Sequence, residues 1–140
     1  MCGTRRGKTI ALLMADRLLI DTSILVDYLR GIDDAIEYVE SRTGPLLLST
    51  IVVAELYAGV RDPEREALAT TFRAFDVHPV TAAIAERGGL FKRDYQPSHG
   101  TGLADALIAA TAEVHDARLV TLNERHFPML KDVIVPYRLA

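Results

Sequence analysis

Apolar residues fall along this chain in two patterns: short unbroken runs, and longer stretches in which they return every three or four positions. Leu18-Leu19-Ile20, Leu46-Leu47-Leu48 and Val133-Ile134-Val135 are unbroken runs, and Leu119-Val120 sits inside Arg118-Leu119-Val120-Thr121. Runs of this length between turn residues predict short buried strands, the first over Arg17 to Ile20. Val77-His78-Pro79-Val80 adds an extended piece, because the residue before a proline is pushed out of the helical region.

Between these runs the period becomes helical. Ile24 to Arg30 keeps helical spacing until Gly31 stops it. Asp33 or Asp34 opens a second helix through Ala35, Ile36, Val39 and Glu40, ending near Thr43-Gly44-Pro45. Ser49 or Thr50 caps a third, Ile51 to Val60. Pro63 suits the first position of a fourth, with Ala67, Leu68, Thr71, Phe72 and Phe75 as its apolar stripe. Thr81 starts a fifth through Ala85, Gly88 and Phe91, after which Lys92 to Gly102 reads as a polar, partly basic loop. The last helix repeats Leu103, Leu107, Ala110 and Val114 at i, i+4, i+7 and i+11, a core-facing pattern. Ile108 and Ala109 widen its apolar surface almost all round, which predicts burial. Leu122 to Pro128 is a loop or a helical turn. Strands and helices alternate throughout, so the fold class is α/β: a mainly parallel central sheet with helices on both faces.

A chain of 140 residues, 49% of them hydrophobic and 25% charged, makes one globular domain with a sizeable core. The domain is expected over residues 17–140, behind an N-terminal extension of residues 1–16 in which Met14 is the natural start. Arg5, Arg6 and Lys8 before Thr9-Ile10-Ala11-Leu12-Leu13 faintly resemble a signal peptide, but the apolar part is too short and no cleavage site follows. Cys2 is the single cysteine, so no internal disulfide forms and a reducing cytoplasm is the simplest compartment. No apolar run approaches the roughly 20 residues of a membrane span. Net charge is 16 − 19 = −3, which gives no global signature of nucleic-acid binding. Acids gathered around metal ions would subtract from that count.

Three acids stand in apolar surroundings. Asp21 follows the first strand, and either caps the helix after it or lies where open α/β sheets place their ligands. With Thr22 and Ser23 beside it, there are three capping candidates where one suffices. Glu55 lies between Ile51-Val52-Val53-Ala54 and Leu56-Tyr57-Ala58 on a helix with no plainly polar face. It is expected to be at least partly buried, and then needs a cation, a proton or an ion pair with an arginine such as Arg61. Asp105 sits in the first turn of the last helix, serving either its dipole or a site shared with the other acids. His78 reads as structural. In a parallel sheet the strand C-termini share an edge, where Asp21 and Asn123 converge. Three carboxylates and an amide are oxygen ligands that select Mg²⁺ or Mn²⁺. The absence of Cys and His from the set argues against structural zinc. No phosphate-binding P-loop, nucleophile elbow or dinucleotide fingerprint occurs in the chain.

Leu19-Ile20-Asp21-Thr22-Ser23, Val53-Ala54-Glu55-Leu56, Ala104-Asp105-Ala106-Leu107-Ile108-Ala109-Ala110 and Leu119-Val120-Thr121-Leu122-Asn123 resemble, in order, the motifs of the PIN-domain family, and more narrowly of the VapC toxins of bacterial toxin–antitoxin pairs. The resemblance runs from about Arg17 to the C-terminus. It implies a Mg²⁺-dependent endoribonuclease, with Mn²⁺ as a substitute, held inactive by a VapB-type antitoxin and typically homodimeric. It assigns Asp21, Glu55 and Asp105 to the acidic metal-binding triad and Asn123 to a fourth, often acidic, catalytic position; an Asn there puts a second ion in doubt. Thr22 or Ser23 would supply a hydroxyl to the metal or its water. Lys92, Arg93, Arg30 or Arg125 would hold flanking phosphates of the RNA, and Tyr95 and His99 would stack on unpaired bases. The antitoxin is expected across the early helices, over Ile24, Val26, Tyr28, Leu56 and Tyr57, with a basic side chain near the acids. A metal-dependent phosphatase of small substrates, or a non-catalytic partner-binding protein, would fit the same residues.

Overall fold

Strand β1 (Leu18–Ile20) is unbroken apolar sequence because it lies in the middle of a parallel sheet, and the computed structural model, which describes residues 17–138, shows it buried along its whole length. Its side chains alternate between the two faces, so burial of all three means that helices cover both faces. The expected extension over residues 1–16 lies outside the described residues. The chain continues through α1 (Thr22–Leu29), α2 (Asp33–Glu40), β2 (Leu46–Ser49), α3 (Thr50–Ala58), a 3₁₀ turn (Asp62–Glu64) and α4 (Arg65–Phe72). Then come β3 (Asp76–His78), α5 (Ala82–His99), α6 (Leu103–Val114), β4 (Arg118–Val120) and a second 3₁₀ turn (Glu124–His126). The sheet order is β3-β2-β1-β4, every pair parallel. Ile20 faces Val120 in register, which sets the ends of β1 and β4 side by side.

The core gathers Leu19, Ile20, Leu48, Val120, Ile24 and Ile108, all fully buried from solvent. Helix α6 packs on α5 through a close approach at Gly88. A Cβ there would stand 2.6 Å from Leu107 Cδ2 and 3.1 Å from Leu107 Cα. Ala106, Ala109, Ala110 and Ala112 of α6 are likewise small and buried, so the helix meets its neighbours through short side chains of its own. No helix among the described residues is long and apolar enough to cross a membrane.

Four expectations are corrected. The polar stretch after Phe91 is no loop: α5 continues to His99, with Pro97 inside it and Gly100 closing it at φ +68°. Side chains four apart support this extension, Lys92 bonding Gln96 at 2.6 Å and the Tyr95 and His99 rings lying 6.1 Å apart. The core face of α6 is not the one its ends suggest: Leu103 and Val114 are 52% and 53% exposed, and burial falls instead on Ala106 and on Ile108 to Ala112. Val133–Val135 forms no strand, only a single bridge from Ile134 to Val120, between Asp132 at φ +57° and Pro136. Ile24, expected on the exposed apolar surface, is fully buried, because α1 presents it to the core. Tyr28 beside it is half-buried and donates to Glu40 Oε2 at 3.0 Å.

Candidate active site

The β1–β4 ladder reaches one residue beyond β1, because the Asp21 amide donates to the Val120 carbonyl at 2.9 Å. This register sets Asp21 beside Thr121, whose hydroxyl donates to Asp21 Oδ2 at 2.6 Å. Ser23 Oγ donates to the same oxygen at 3.1 Å, and itself accepts from the Leu122 amide at 3.2 Å. The Asn123 amide closes the arrangement on Thr121 Oγ1 at 3.0 Å. Asp21 stands at the N-cap position of α1 but makes no side-chain cap bond, so capping does not account for it. It is 3% exposed. Burial pushes its carboxyl above the usual carboxylate range; the two hydroxyl bonds oppose that shift and the charge of Asp105 adds to it.

Asp105 is the third residue of α6 and enters from the neighbouring helix. Its carboxyl is also raised, first by desolvation and then by Glu55, with His126 acting in the opposite sense. His126 Nδ1 lies 3.3 Å from Asp105 Oδ2. Glu55 is exposed, contrary to the burial expected of it. Of the α3 residues only Val52 is fully covered, so a helix that reads as apolar all round leaves an open face in this chain. Arg61 does not pair with it: that guanidinium bonds Glu64 at 3.0 Å, and the Glu55 carboxylate accepts instead from Thr22 Oγ1 at 2.6 Å.

Asp21, Thr22, Ser23, Glu55, Asp105 and Asn123 all line one cavity of about 400 Å³. Three like charges gathered there, two on carboxyls that their surroundings already push toward protonation, need a countercharge. Among the described residues no three Asp, Glu, His or Cys side chains close into a ready-made ligand cage. A hard divalent cation that keeps several waters needs only one or two carboxylates, and an oxygen-only set suits it. The residues therefore fit such an ion, which Asp21 and Asp105 would hold, with Glu55 lining the same cavity.

Lys92, Arg93, Tyr95 and His99 do not line the cavity; they stand on the last turns of α5. Arg93 is engaged by Asp94 at 2.8 Å. His78, expected to be structural, bonds Asp76 at 2.9 Å and packs against His115, the ring centroids 4.2 Å apart and the planes tilted by 45°. Three residues of the site carry no signal that the sequence pattern assigns to it. Thr121 mirrors Asp21 at the end of a paired strand, a position that strand pairing identifies once the register is known. Asp27 lines the cavity at 8% exposure and accepts from the Tyr137 hydroxyl at 3.0 Å, a bond that with burial pushes the phenol well up. Its spacing on α1 resembles that of any surface acid. His126 stands on a 3₁₀ turn within the stretch read as a loop or helical turn, but nothing in that stretch points it at Asp105.

The PIN domain family model matches residues 18–132. Ribonuclease VapC19 of Mycobacterium tuberculosis is 46% identical over 123 residues, covering 85% of this chain and 98% of that protein. Ribonuclease VapC10 of the same organism is 42% identical over 123 residues, covering 86% and 92%. Among solved structures, a toxin–antitoxin complex from Klebsiella pneumoniae contains a chain with a TM-score of 0.76 and 27% identity, covering 87% of this chain and 99% of that one.

Proposed function

The chain belongs to the PIN-domain family, and on that premise we propose that it is the toxin of a VapBC-type pair, a Mg²⁺-dependent endoribonuclease cleaving structured cellular RNA in the cytoplasm. The observation that carries the reading is the single cavity walled by Asp21, Glu55, Asp105 and Asn123. A divalent cation bound there supplies positive charge against the scissile phosphate and lowers the pKa of water. The chain's own residues do the rest. Thr121 and Ser23 hold the Asp21 carboxylate in one orientation, and Thr22 does the same for Glu55. Asn123, whose backbone N–H donates to Thr121 Oγ1, offers a neutral side chain to water or to a phosphate oxygen without adding repulsion. Mg²⁺ is favoured over softer ions by the all-oxygen set, with Mn²⁺ as its substitute.

RNA reaches the cavity along the end of α5. Tyr95 and His99 supply half-exposed rings for unpaired bases, and Lys92 and Arg93 supply charge for flanking phosphates. The VapB-type antitoxin occupies a groove of about 260 Å³ lined by Leu29, Leu56, Val60, Ala67 and Leu68. Leu29 at 45% and Tyr57 at 37% exposure offer it the apolar anchors.

The test is incubation of the purified chain with total RNA, in Mg²⁺ and in chelator, followed by mapping of new ends. Defined new ends in Mg²⁺ alone, lost in Asp21→Asn, are expected. Hydrolysis of a model phosphomonoester with no RNA cleavage would replace the reading with a phosphatase; chelator-insensitive behaviour throughout would leave a binding protein.

A further inference from the structure

The turn after β4 is fastened at three points. The His126 amide donates to the Asn123 carbonyl at 3.0 Å, and Phe127 is buried to 1% exposure. The His126 carbonyl accepts from the hydroxyl of Thr101, which is fully buried, at 2.8 Å. Thr101 lies two residues before α6, and Asp105 is the third residue of α6. One hydrogen bond thus ties the backbone that carries His126 to the backbone that carries Asp105. Across that tie the imidazole Nδ1 meets Asp105 Oδ2 at 3.3 Å. His126 does not line the cavity, so it approaches the carboxylate from outside it.

We propose that His126 is a positioning residue for Asp105, its Nδ1 paired with Oδ2 so that the other carboxylate oxygen would be left to a cation in the cavity. The role rests on the metal-dependent reading above. Its physical need is plain. An aspartate in the first turn of a helix can swing about two side-chain bonds, and Glu55 repels it from within the site. Outer partners of this kind typically set metal affinity by about 10- to 100-fold.

The test uses the full chain and titrates Mn²⁺ by electron paramagnetic resonance, which reads binding without turnover. His126→Ala should weaken Mn²⁺ binding by about 10- to 100-fold and raise the metal concentration for half-maximal RNA cleavage by the same factor. His126→Asn, whose amide nitrogen takes the place of Nδ1, should recover most of it. His126→Gln, whose amide reaches the place of Nε2, should not. If the alanine variant fails to fold, the Asn and Gln variants carry the comparison: Asn must bind the ion more tightly. A dissociation constant for His126→Ala within twofold of wild type, or a tighter one, overturns the role, as do Asn and Gln variants of equal affinity. Wild-type protein that binds no Mn²⁺ overturns the metal-dependent reading itself, and this role with it.

Discussion

Asp105→Asn separates a metal-binding acid from a structural one. In the metal-free protein the Asp105 carboxyl titrates above its ordinary value, the net effect of desolvation, His126, Glu55 and the helix backbone together. A raised folded value means that the protonated form favours folding. That contribution is complete below the unfolded value of about 4 and is lost as pH rises through the raised folded value. At pH 7.5 the charge therefore costs stability, even after the roughly 0.3–1 kcal/mol that a carboxylate gains at a helix N-terminus. Removing the charge should leave the chelated mutant as stable as wild type or more so, and the gap should close as pH falls toward 4.

Mg²⁺ reverses the order. At a hundredfold excess over its dissociation constant it stabilises wild type by about 2.7 kcal/mol. For a domain of this size that is a rise in Tm of roughly 8–14 °C. The mutant, with one ligand neutralised, should gain only a fraction of this and should not cleave RNA. Thermal melts of both proteins in chelator and in Mg²⁺, from pH 5 to pH 8, read all of it. A mutant that melts well below wild type in chelator at pH 7.5, and gains as much from Mg²⁺, would refute the shared cation site and return Asp105 to the role of a helix-terminal charge.

Thr121→Val removes the 2.6 Å donor to Asp21 and leaves a buried carboxylate short of a partner, at a cost of about 1–3 kcal/mol at neutral pH. The loss should shrink as Asp21 protonates in acid, and Thr121→Ser should restore stability; chelator melts across pH measure both. Leu29→Arg places a charge on an exposed rim of the apolar groove, so it should abolish co-elution with the co-expressed product of the neighbouring reading frame while leaving Mg²⁺-dependent RNA cleavage intact. Gly88→Ala must push Leu107 away from a contact of 3.1 Å at its Cα; an overpacking cost of about 1–3 kcal/mol exceeds or cancels the roughly 1 kcal/mol that alanine gains in a helix. Denaturant melts should show no stabilisation, and Gly88→Val should be clearly worse.

What is legible in the sequence is what local pattern encodes. Leu18-Leu19-Ile20 and Leu46-Leu47-Leu48 are short apolar runs between turn residues, as strands covered on both faces require, and β1 and β2 follow within a residue of the expected bounds. Parallel pairing then dictates that residues just past β1 and β4 share an edge, and Asp21 and Asn123 do line one cavity. What is not legible depends on what the chain fails to cover. Helix α3 reads as apolar all round, a pattern that ordinarily means burial; yet Ala54, Glu55, Tyr57 and Ala58 are exposed, because no other element among the described residues covers that side. The same surplus explains the exposed Leu29 across the groove.

Thr121 and His126, both visible only in three dimensions, share one cause. Each touches an acid more than twenty residues away, 121 against 21 and 126 against 105, so no periodicity within either segment reveals the contact. They differ in how many further steps lead to them. Register alone predicts Thr121: once Ile20 pairs with Val120, the next residues are neighbours, and a hydroxyl beside a buried carboxylate has one obvious use. His126 requires in addition the 3₁₀ turn that Asn123 opens and the bond from Thr101 that holds it, a contact between segments 25 residues apart. The acidic edge of this fold is therefore specified in two steps. Strand pairing sets Asp21 level with Thr121 and Asn123, and helices α3 and α6 then carry Glu55 and Asp105 to the same cavity.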